Sequence, residues 1–102
     1  MIHVVAIITA KPGQREAVLQ AFRANVPAVL AEDGCIEYGA VVDNDPALPI
    51  QSPIGPDTFM VIEKWASAQA LMAHAAAPHM KAYGLAVRDH IASRTIHVLT
   101  GA

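Results

Sequence analysis

The opening run of the chain is apolar on both faces of an extended strand. Residues 2–10 read IHVVAIITA and stop at Lys11-Pro12-Gly13. The β-branched side chains and the abrupt Lys-Pro-Gly boundary make this a strand. Alternation puts Ile2, Val4, Ala6 and Ile8 on one face, Val5 and Ile7 on the other. Such a strand has to be covered on both sides. A chain of 102 residues has room for one core, so residues 1–102 are expected to form one domain. One layer of helices covers one face, and something else must cover the second. Composition agrees: 54% of the residues are apolar and only 16% are charged. A domain this small hides roughly 60–70% of its unfolded surface, so that richness implies an apolar patch or a partner over it.

After the strand, Pro12 suits the first turn of a helix. Val18, Phe22, Val26 and Val29 then recur at helical spacing. Pro27 sits inside that stripe and predicts a kink, or a break followed by a short second helix. Gly34 suits a helix stop. Residues 35–43 read as a second strand, with Ile36, Tyr38, Ala40 and Val42 on one face. Residues 44–57 hold four of the seven prolines and form a long loop. Its Leu48, Ile50 and Ile54 suggest packing over a pocket mouth or on a partner chain. Residues 58–65 are the third strand, with Phe59, Val61, Glu63 and Trp65 together on one face. Ser67 is a helix N-cap for residues 68–77. Pro78 ends that helix or starts another over residues 79–90, and residues 93–100 close the chain as a fourth strand.

The order is βαββαβ with the second helix broken, which is the ferredoxin-like α+β arrangement. It predicts one four-stranded antiparallel sheet with helices on one face. Packing two such sheets through their bare faces would bury the second apolar face and form a dimeric α+β barrel, so a homodimer is expected.

Several classes of function are disfavoured. Net charge is −2 and no Lys or Arg run exists, so there is no electrostatic footprint for nucleic acid. The apolar run at the start is too short to span a membrane and has no signal-peptide anatomy. Cys35 is the only cysteine, so no internal disulfide forms and a cytoplasmic location is expected. No glycine-rich nucleotide signature is present.

The candidate chemistry lies in a few side chains. Glu63 shares an apolar face with Phe59 and Trp65, where a carboxylate is costly unless paired or protonated. It is either a general base with a raised pKa or a structural carboxylate held by backbone or by His74. Trp65 is either an aromatic wall for a flat substrate or plain core. Histidine as a residue type titrates near neutrality, so His74 suits proton transfer, against the alternative of a core or capping histidine. His79 lies five positions on, about 140° away around a continuous helix, so the two do not form a metal pair and no metal is expected. Tyr38 either donates to a substrate oxygen or closes the core.

Taken together, Lys11-Pro12-Gly13, Glu32-Asp33-Gly34-Cys35, Tyr38, Glu63-Lys64-Trp65, Ala70-Leu71-Met72-Ala73-His74 and Pro78-His79-Met80-Lys81 resemble the antibiotic biosynthesis monooxygenase family in the family's order. The loop 44–56 departs from that pattern, where the family's connection is usually short. The resemblance implies a cofactor-independent oxygenase of a small aromatic such as a quinol or anthrone. It implies His74 or Glu63 as base, Trp65 stacking the ring and Tyr38 orienting an oxygen, with Phe59 and His79 also near the substrate. The family is functionally mixed and includes haem-degrading members and a sugar-phosphate isomerase. Fold kinship therefore does not settle the reaction. An acid–base isomerase of a small carbonyl compound and a non-catalytic binding module remain the alternatives.

Overall fold

The computed structural model describes all 102 residues. Four strands, β1 (Ile2–Ala10), β2 (Cys35–Val41), β3 (Thr58–Trp65) and β4 (Ile91–Leu99), form one sheet. Its order is β2-β3-β1-β4 and every neighbouring pair is antiparallel. Helices α1 (Arg15–Leu30), α2 (Ala68–Ala76) and α3 (Pro78–Val87), with a short 3-10 turn at Arg88–His90, complete the ferredoxin-like α+β fold.

Strand alternation organises the core. Val4, Ala6 and Ile8 of β1 and Phe59, Val61, Glu63 and Trp65 of β3 face the helices and are buried. Val18, Leu19, Phe22 and Val29 of α1 close over them. On the opposite face of the sheet, Val5, Ile7, Met60 and Ile62 are only half-buried, because no element of the chain lies over them. Helical cover also stops short of β4: Ile96 and Val98 pair with Ala6 and Val4 on the helix side, yet both are more than half exposed.

Three local expectations are corrected. Pro12 lies in the turn Lys11–Gly13, not in the helix, which starts at Arg15. Pro27 does not break α1, which runs on to Leu30. The lost backbone bond costs about 3 kcal/mol, but Phe22 before the proline and Val29 after it are anchored in the core, and the ring of Pro27 faces solvent. In β2 the register shifts between Cys35 and Glu37. Such a bulge inserts one residue and reverses the alternation. Cys35 therefore takes the inner position opposite Trp65, and Ile36 is left outside, 55% exposed.

The proline loop is built around Asp43. Its carboxylate accepts the backbone N–H groups of Ile54 at 2.9 Å and Gly55 at 3.0 Å, closing the loop at its base. Those N–H groups also hold the Asp43 pKa below the usual carboxylate range. Leu48 and Ile50 project outward and cover nothing within the chain; Ile50 is 93% exposed.

Candidate active site

The inner face of the sheet places Tyr38 opposite Glu63 and Cys35 opposite Trp65. Above them α2 begins at Ser67, whose hydroxyl accepts from the N–H of Ala70 at 3.1 Å. That cap is the expected one, and it sets the phase of α2 so that His74 is its one buried residue. The His74 ring lies over Trp65, with centroids 4.6 Å apart, and meets Tyr38 edge-on at 5.5 Å. Phe22 of α1 stacks on Tyr38 at 5.1 Å and meets Phe59 and Tyr83 edge-on.

Two polar contacts make this aromatic cluster chemically interesting. The indole N–H of Trp65 donates to Glu63 Oε1 at 2.9 Å. His74 Nδ1 lies 2.7 Å from Oε2 of Glu32, which sits on the turn between α1 and β2. An ionised carboxylate can only accept, so Nδ1 carries the proton in this contact, and in the neutral ring Nε2 keeps its lone pair. A carboxylate behind an imidazole fixes both its tautomer and its orientation. His79 Nε2 lies 3.4 Å from the same Glu32 oxygen, and its Nδ1 is 3.2 Å from Oδ1 of Asn25. The chain breaks helicity at Ala77, which is extended at ψ 140°. That break undoes the separation His74 and His79 would have on a continuous helix. No three His, Cys, Asp or Glu side chains are arranged to hold a metal ion.

Burial pushes the Glu63 carboxyl above its ordinary range. The Trp65 hydrogen bond and the nearby His74 pull it back, and Glu32 adds to the rise. The Tyr38 phenol is also driven up, first by burial and then by Glu63, so it stays neutral and can donate. A group whose pKa is higher folded than unfolded contributes stability that is present at low pH and lost as pH rises through the folded value. Glu63→Gln keeps an acceptor for Trp65 and removes the charge. It is therefore expected to be more stable than the wild type near about pH 8 and to lose that advantage near about pH 4. Denaturant unfolding at both values checks this, and an advantage independent of pH would contradict a charge-burial origin.

The expected site residues thus form one cluster, with different surroundings. Phe59 and Trp65 are wholly enclosed, Glu63 and His74 nearly so, and His79 is half-buried. Tyr38 borders a cleft of about 200 Å³ between α1 and β2. Leu19, Phe22, Val26 and Val42 line it too, and Val42 leads directly into the proline loop. Glu32 and Asn25 were absent from the expected site. The acidic residue before Gly34-Cys35 was a visible signal for Glu32; Asn25 had none beyond lying off the apolar stripe.

An antiparallel sheet of this order, backed by helices, defines a ferredoxin-like α+β protein, here with a buried histidine–carboxylate pair. The chain belongs to the antibiotic biosynthesis monooxygenase family, whose sequence pattern matches residues 1–84. It is 43% identical over 101 residues to a protein of Escherichia coli K12 called "Probable quinol monooxygenase YgiN", covering 97% of this chain and 96% of that one. A solved Pseudomonas aeruginosa structure superposes with TM-score 0.82 at 27% identity, over 99% of this chain and 93% of that one. A Nitrosomonas europaea structure, at 20% identity, shares the fold with TM-score 0.84, over 99% and 98% of the two chains.

Proposed function

We propose that this protein is a cofactor-independent monooxygenase of a small, electron-rich aromatic, a quinol or an anthrone. The observation that carries the reading is His74, buried against Trp65 and Tyr38 with Nδ1 tied to Glu32. Membership of a monooxygenase family and the relative's quinol monooxygenase name support the substrate class.

In this scheme the substrate enters along the α1–β2 cleft, past Tyr38, which orients a ring oxygen. His74 Nε2 accepts a proton from the phenol, and Glu32 stabilises the resulting imidazolium. The substrate anion passes one electron to O2. The two radicals combine at a ring carbon, and the peroxide loses water. One oxygen atom stays on the ring and the other leaves as water. All the electrons come from the quinol, which emerges as a hydroxylated quinone. The aromatic walls keep bulk water from the anion.

Oxygen uptake by metal-stripped protein, fed a panel of quinols and anthrones, tests this. Uptake above autoxidation with formation of the hydroxyquinone is expected. Turnover of a carbonyl substrate without O2 would instead assign the same acid–base groups to an isomerase.

The protein is further proposed to act as a homodimer in the cytoplasm, paired through the half-buried face of Val5, Ile7, Met60 and Ile62. No helix is long and apolar enough to cross a membrane. Burying apolar area contributes about 25 cal/mol per Å², and a charge there is not tolerated unpaired. Ile62→Glu is therefore expected to turn a dimeric mass into a monomeric one in light scattering. A wild type that is monomeric at micromolar concentration would refute the pairing.

A further inference from the structure

The proline loop is held in one shape and carries its apolar side chains outward. The Gln51 side-chain oxygen accepts from the Leu48 N–H at 3.0 Å, and the Gln51 N–H donates back to the Leu48 carbonyl at 3.0 Å. The Gln51 amide nitrogen donates to the Asn44 carbonyl at 3.1 Å, and the Asn44 amide to the Pro46 carbonyl at 2.9 Å. This scaffold fixes Leu48 and Ile50 in solvent rather than letting them fold back onto the chain. The charged residues of segment 44–57 are both acidic, Asp45 and Asp57. Asp57 accepts from the Gly13 N–H at 2.9 Å. Asp45 is exposed and makes no ion pair within the chain.

The opposite edge of the sheet has the complementary character. β4 has no neighbour beyond it, and Ile96 on its helix side is more than half exposed. Arg94 lies on the same face two residues earlier, opposite Ile8, and Arg88 precedes the strand. Both arginines are exposed. Arg94 has no carboxylate within ion-pair distance, and Arg88 has only the exposed Asp89 at 3.8 Å. Exposed pairs of that kind hold a guanidinium weakly.

Strand register says how the two surfaces can meet. A two-fold axis running along the strands, between two sheets packed through Val5, Ile7, Met60 and Ile62, exchanges the sheet edges. It sets β2 of one protomer against β4 of its partner and keeps each residue at its own level along the strands. Val41 ends β2 and is level with Met60, Ile7 and Thr95. The loop therefore leaves β2 level with the partner's Thr95. It continues in the direction of the partner's Arg94 and Arg88, because β2 and β4 run antiparallel. A two-fold axis across the strands would set the two β2 strands against each other and separate the acidic loop from both arginines.

We propose that the proline loop of each protomer docks on the β4 edge of its partner, with Leu48 and Ile50 against Ile96 and with Asp45 paired to Arg94. This rests on the face-to-face dimer proposed above. Opposite charges across an interface fix its register, and two-fold symmetry makes every such contact twice. The docked loop also covers the β4 edge, whose unpaired backbone groups are otherwise open to pairing with further strands.

Charge reversal on the full chain tests it, read as the dimer Kd. Asp45→Arg and Arg94→Asp are each expected to raise that Kd by about tenfold or more, because like charges then face each other at two symmetric contacts. The double variant restores opposite charges and should return to within about threefold of the wild type. Proximity is read separately in a Cys35→Ser background, by mixing a chain carrying Asp45→Cys with one carrying Arg94→Cys. A short bismaleimide is expected to join the mixed chains and to join neither variant to itself. A dimer indifferent to both reversals, a double variant no tighter than the single ones, or a dimer without the mixed cross-link would each overturn loop docking. A wild type that is monomeric at micromolar concentration would overturn the face-to-face pairing itself, and the docking with it.

Discussion

Replacing His74 by alanine is expected to lower oxygen-dependent turnover by about 10²–10⁴-fold, the usual contribution of a positioned general base. The substitution removes the one group with a free imidazole nitrogen inside the Tyr38–Trp65 cluster. It also leaves the Glu32 carboxylate without its 2.7 Å partner, at about 1–3 kcal/mol of stability. Turnover should therefore be measured on protein shown to be folded. Added imidazole, small enough for the vacated space, is expected to restore part of the activity. Glu32→Ala should act in the same direction through a freed imidazole ring. It should lower the maximum of turnover, because the carboxylate holds the ring in its orientation. Folded His74→Ala with wild-type turnover would remove His74 from the mechanism and shift attention to Glu63.

The largest effect on stability is expected at Gly34. Its φ is +83°, and a Cβ there would meet the Cβ of Ala70 at 2.6 Å. Both atoms are rooted directly on backbone, so neither can swing away. Gly34→Ala combines a left-handed backbone penalty of about 1–2 kcal/mol with overpacking of about 1–3 kcal/mol. A loss of about 2–5 kcal/mol follows, lowering Tm by at least about 8 °C in a domain of this size. Denaturant unfolding measures it, and a loss below about 0.5 kcal/mol would contradict the close approach. Activity should fall in step. The carbonyl of Gly34 accepts from the N–H of Ala66 at 2.8 Å, which brings the start of β2 against the start of α2. Glu32, two residues earlier, reaches His74 only while that approach holds.

Much of the site was legible because it rests on local periodicity. The alternation of β3 puts Glu63 and Trp65 on the face of Phe59 whatever the partners are. Ser67 followed by an apolar run starts α2 and so presents His74 inward. Pro78 divides the helical region because proline starts a helix far more easily than it continues one. The ferredoxin-like order, and membership of the antibiotic biosynthesis monooxygenase family, follow from the sequence of elements and motifs along the chain.

What escaped the reading is what depends on distant partners. Pro27 argues locally for a kink or a break, and the core contacts of Phe22 and Val29 keep α1 from breaking. The bulge that exchanges Ile36 for Cys35 is set by the pairing of β2 with β3, so alternation within β2 could not reveal it. The sequence by itself determined which residues face inward on β1 and β3, where α2 starts, and that one sheet face would lack cover within the chain. Only the tertiary structure decided that Glu32 meets His74 across 42 positions and that His79 reaches the same oxygen. Strand and helix periods are properties of neighbouring residues, whereas a hydrogen bond between separate elements depends on how the chain returns on itself.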